Sequence, residues 1–97
     1  MNRDLLCFSH LRWDFVYQRP NHLMARAATS RRVYYVEEPT DGPVATLDLH
    51  RREGVTVVVP RIPSHLNGDT EATLRRLISR LVADEHIVDP VLWYYTP

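Results

Sequence analysis

The chain has 97 residues, 44% hydrophobic and 25% charged, which suits one soluble globular domain with a single core. Its basic residues are all arginine, and they balance the acids to a net charge of zero, so no overall field draws it to nucleic acid or to an acidic membrane. A single cysteine, Cys7, excludes an internal disulfide, no apolar run approaches the ~20 residues of a membrane span, and Met1–Asp4 does not open a signal peptide, so a cytoplasmic location is expected.

Residues 4–9 form a continuous apolar run bounded by polar residues, which predicts a short buried strand. A polar and aromatic loop follows. Pro20 is tolerated in the first turn of a helix, so a helix is expected from near Arg19, with Leu23, Met24, Ala27 and Ala28 as its apolar stripe. Thr29-Ser30-Arg31 ends it. Residues 32–37 are β-rich through Val33, Tyr34, Tyr35 and Val36, and Pro39 stops them. A weak strand is expected over 45–49, a turn at Arg51-Arg52-Glu53-Gly54, and a strong strand over 55–59 closed by Pro60, which together read as a hairpin. Asp69 is a candidate N-cap for a helix carrying Leu74, Leu77, Ile78, Leu81 and Val82 at helical spacing. Glu71 and Arg75 make a favourable i, i+4 pair on its other face. Asp89-Pro90 breaks the chain before a last strand at 91–95. The element order is β-α-β-β-β-α-β, an α/β layered domain with a mostly parallel sheet and one β-hairpin. Because the chain stops at the carboxyl end of an inner strand, residues 1–97 are expected to be an incomplete domain.

The loop after the first strand carries His10, Arg12, Trp13, Asp14, Tyr17 and Arg19. In parallel α/β sheets ligands bind beyond the carboxyl ends of strands, where this loop falls. The run Phe8-Ser9-His10-Leu11-Arg12-Trp13-Asp14, with Tyr17-Gln18-Arg19-Pro20 and His22-Leu23, resembles the N-terminal domain of bacterial glycosyltransferases built from two Rossmann-like domains, the GT-B fold. Val36-Glu37-Glu38-Pro39, the segment Gly54 to Pro60 and the segment Val91 to Pro97 fit in the expected order, so the resemblance spans nearly the whole chain. It implies sugar transfer from a nucleotide-sugar donor to a glycan or lipid-linked acceptor in cell-envelope synthesis. The N-terminal domain would shape the acceptor and diphosphate side of a cleft, and a C-terminal domain, absent here, would hold most of the donor. It implies an enzyme only at full length, with no cofactor; the absence of a membrane-spanning run leaves peripheral membrane contact open. In many relatives a glycine-rich turn follows the first strand. Here His10-Leu11-Arg12-Trp13 stands in that place, so phosphate contact falls to side chains.

Each candidate has competing roles. His10 suits a sugar hydroxyl or a phosphate, or a loop histidine satisfied by backbone. Arg12 and Arg19 suit bidentate pairing with a diphosphate; Arg19 could instead bind Asp14 or Glu38. Trp13 and Tyr17 could stack on a sugar or base, or pack the helix onto the sheet. Asp14 could serve as a general base, or as a loop carboxylate. Glu37-Glu38 sits where dinucleotide-binding folds hold a ribose, but no glycine fingerprint follows the first strand, which argues against an NAD site. His10, Asp14 and His22 match no metal-ligand spacing, so no metal is expected. Cys7 reads as a core residue, and Arg75, Arg76 and Arg80 as a solvated helix face rather than a nucleic-acid patch. A small non-catalytic α/β domain that binds a ligand or a protein is the alternative reading.

Overall fold

The computed structural model describes residues 3–9, 13, 24–64 and 70–95. Five strands, β1 (Leu5–Ser9), β2 (Val33–Val36), β3 (Thr46–Arg52), β4 (Val55–Arg61) and β5 (Val91–Tyr95), form one sheet in the spatial order β3-β4-β2-β1-β5. Three pairings are parallel (β1 with β2, β1 with β5, β2 with β4), and only β3 with β4 is antiparallel. Helical residues 24–27 (α1, where described) lie between β1 and β2, and α2 (Thr70–Asp84) lies between β4 and β5.

Strands buried on both faces explain the apolar runs of the sequence. Alternate residues supply two cores. Leu5, Cys7, Val33, Tyr35, Val55, Val57 and Val59 face Trp13, Met24, Ala27 and Ala28. Leu6, Tyr34, Val36 and Val58 face Ile78, Leu81, Val82 and Ile87. The sheet is thus the middle of three layers. Each fully buried aliphatic side chain contributes about 1.5–3 kcal/mol, so these two clusters hold the fold. Burial also pushes the Cys7 thiol up to about 11, which makes it an inert core group.

The hairpin differs from its expectation in two respects. β3 is longer than the 45–49 read from sequence, because Arg51 and Arg52 stay paired with Thr56 and Val55. The turn therefore shrinks to Glu53-Gly54, both with positive φ (53° and 83°), the two-residue geometry that matches strand twist. Pro60 lies inside β4 rather than closing it. Its nitrogen points to the side where β2 has already ended, a position that needs no donor.

The carboxyl end of α2 closes by a Schellman motif. His86 N–H donates to Ala83 O (3.3 Å) and Ile87 N–H to Val82 O (2.9 Å), with His86 in the left-handed region at φ 55°. The last turn of α2 has no basic residue. Arg32 supplies the cation instead: it donates to Glu85 O (2.7 Å) and His86 O (3.4 Å) while pairing with Asp4. Arg3 grips Asp89 O and Pro90 O and so seats the start of β5.

Candidate functional site

The sheet order sets where a ligand would sit. From β1 the chain steps to β2 and then β4 on one side, and crosses back to β5 on the other. In open α/β sheets the crevice for ligands lies outside the carboxyl ends of the strands at such a divergence. Here those ends are the register partners Ser9 and Tyr95.

Buried side chains stitch this rim together. The Tyr35 hydroxyl donates to Ser9 Oγ at 2.8 Å, joining the end of β1 to β2. The Trp13 backbone N–H donates to Glu37 Oε2 at 2.8 Å. Glu37 is only 7% exposed, and a carboxylate so buried requires hydrogen-bonded compensation. The Trp13 ring packs edge-on against Tyr35, centroids 5.0 Å apart. The loop that leaves β1 is therefore pinned to the end of β2 at Trp13. On the opposite face Phe8 and Tyr94 stack with centroids 5.3 Å apart, and Tyr94 remains 66% exposed. Leu92 and Trp93 on the same edge strand are 53% and 38% exposed.

Of the residues singled out from sequence, His10, Arg12, Asp14, Tyr17 and Arg19 lie outside the described residues, as does His22. Trp13 is described, and its ring is a core element at 3% exposure, with no open face on which a sugar could stack. Glu37 holds the β1 loop through a main-chain amide, where the sequence suggested only a ribose contact to be weighed. The Ser9–Tyr35 and Trp13–Glu37 links were not anticipated, because partners 26 and 24 residues apart leave no local pattern.

Among the described residues no cluster of three His, Cys, Asp or Glu could hold a metal ion, and no helix is long and apolar enough to cross a membrane. Comparison with protein-family models, curated proteins and solved structures finds no match to this chain.

Proposed function

We propose that this chain is the N-terminal, Rossmann-like part of a bacterial two-domain glycosyltransferase that acts in the cytoplasm and forms one wall of a nucleotide-sugar cleft. The observation that carries the reading is the parallel order β4-β2-β1-β5, whose divergence at β1 lies at the root of the loop holding His10, Arg12, Asp14, Tyr17 and Arg19. In this reading Arg12 and Arg19 neutralise the diphosphate leaving group, and His10 and Tyr17 contact sugar hydroxyls and ring faces. Asp14 accepts a proton from an acceptor hydroxyl in this reading. Trp13 and Glu37 anchor the loop so that these groups keep their positions, the kind of orientation on which transfer rates depend. The donor's other half belongs to the second domain, so the 97 residues alone bind weakly and do not catalyse.

A second reading, a small non-catalytic α/β domain that binds a protein, is favoured by one observation: β5 presents Leu92, Trp93 and Tyr94 on an open edge. The two separate on binding. Calorimetric titration of the chain with uridine and guanosine diphosphates should show weak binding, reduced about tenfold or more by Arg12→Ala or Arg19→Ala, as loss of a charged hydrogen bond requires. Unchanged affinity in both variants, or robust sugar transfer by the 97 residues alone, contradicts the glycosyltransferase reading.

A further inference from the structure

A second cleft, of about 380 Å³, opens near the amino ends of β2 and β4, remote from the rim described above, and three arginines line it: Arg31, Arg32 and Arg51. The fold brings them together from distant positions. Arg31 and Arg32 lead into β2, while Arg51 comes near the end of β3. The Glu53-Gly54 turn folds β3 back so that Arg51 pairs with Thr56, and Thr56 pairs in turn with Tyr34. Arg51, Thr56 and Tyr34 therefore form one row across three neighbouring strands, with strands ~4.8 Å apart.

The charges that line this cleft are unevenly committed. Arg32 is fixed by Asp4 and by the last carbonyls of α2, which also shields the cleft from the negative end of the helix dipole. Arg31 and Arg51 make no ion pair among the described residues. Glu85 is the one acid in the lining, and its Oε1 already accepts the Tyr34 hydroxyl at 3.0 Å. In a chain of zero net charge, two guanidinium groups with no ion pair among the described residues and a threonine line one hollow.

We propose that this cleft binds a phosphate monoester carried on a small organic body. The phosphoryl group sits between Arg31 and Arg51, each offering the paired donors that match phosphate oxygens, with the Thr56 hydroxyl as a third donor. The body lies over Ala28 and the Gly54 turn at the mouth of the cleft. The volume falls at the low end of small-molecule sites, which fits a single phosphorylated metabolite and not a polymer. The site is independent of the glycosyltransferase reading, and its failure leaves that reading standing.

The test is a titration of ¹⁵N-labelled chain at constant ionic strength with glycerol 3-phosphate and, separately, with inorganic phosphate. The expected result is saturable amide shifts at residues 31, 51 and 54–56, tighter for glycerol 3-phosphate than for phosphate. The Arg31→Ala, Arg51→Ala double variant should weaken binding about tenfold or more. The Arg31→Lys, Arg51→Lys pair keeps the charge but loses the fork, and should fall between it and the wild type. Arg75→Ala, which removes an exposed pair with Glu71 on α2, should leave binding unchanged. The replaced side chains lie at the surface, so the variants keep the fold, and Thr56→Val provides a further variant expected to weaken binding. Absence of saturable shifts with both probes, equal affinity for the two, or shifts that persist in the double alanine variant overturns the proposal.

Discussion

Edge strand β3 carries Asp48, His50, Arg51 and Arg52, whereas edge strand β5 exposes Leu92, Trp93 and Tyr94. Both stand at the margin of the same sheet, yet they are built for different surroundings. Charged side chains blunt β3 against pairing with another chain, and the Arg61–Asp48 bridge (2.7 Å) secures it to β4. β5 is apolar on both faces, the composition of an interior parallel strand, and among the described residues it has a strand neighbour only on the β1 side. The difference teaches that one margin of the sheet is finished for solvent and the other is suited to a covering partner. That contrast supports a further domain in the proposed enzyme, and it is also what the binding-module reading requires.

The first way to break the comparison is to strike the strand between the two edges. Tyr35 is fully buried at the centre of one core, so Tyr35→Ala should cost about 3–5 kcal/mol and unfold both edges together. Chemical denaturation followed by far-ultraviolet circular dichroism checks this, and separate transitions for the hairpin and for β5 would break the picture of one cooperative sheet.

Raising the pH probes the same strand, on its opposite face, without mutation. Burial, helped by the hydrogen bond to Glu85, raises the Tyr34 hydroxyl to about 12 from its ordinary value of 10. The fold thus favours the neutral phenol. That stabilisation is complete below pH 10 and is lost as pH rises through 12, on the order of 2–3 kcal/mol in all. The raised Cys7 thiol acts in the same direction, from about pH 9 to 11. Melting temperature against pH should fall across this window, and Tyr34→Phe should flatten the part above pH 10.

A third effect is confined to the rim at the carboxyl ends of β1 and β2. Glu37→Ala removes the acceptor of the Trp13 amide and should cost about 1–3 kcal/mol. Hydrogen exchange should quicken at Trp13 and leave the β3–β4 hairpin amides unchanged; equal quickening in both would mean that the pin is not local. Smaller gains are expected where non-glycine residues hold positive φ. Glu53→Asn, at the hairpin edge, and His86→Gly, at the end of α2, should each stabilise by about 0.5–1 kcal/mol. Thermal melts check both.

Smallest of all is Leu92→Lys. It should change stability in thermal melts by less than about 0.5 kcal/mol, because the side chain already faces solvent.

The strands and α2 were legible in sequence because their burial writes a pattern: continuous apolar runs for β1, β2 and β4, and i, i+3, i+4 spacing for Leu74 to Val82. The full extent of β3 was not legible, since Asp48, His50, Arg51 and Arg52 carry no strand signal and the backbone of β4 sets their pairing. Nor was the spatial order of the strands, because equally apolar runs do not say which neighbours which. The carboxyl end of α2 was missed for a related reason: its cation, Arg32, comes from the start of β2. At the candidate site, the polar loop after β1 stood out by its residue types. The Trp13–Glu37 pin did not, because one of its two groups is a main-chain amide that no residue type announces.

The central claim is that ligands meet this chain at the paired carboxyl ends of β1 and β5. Mapping amide shifts of the labelled chain during titration with uridine diphosphate and guanosine diphosphate tests it most directly. The account predicts shifts concentrated in residues 9–19 and at the carboxyl end of β5, lost on Arg12→Ala and Arg19→Ala. Shifts confined to Arg31, Arg51 and Thr56, or no shifts at all, would contradict it.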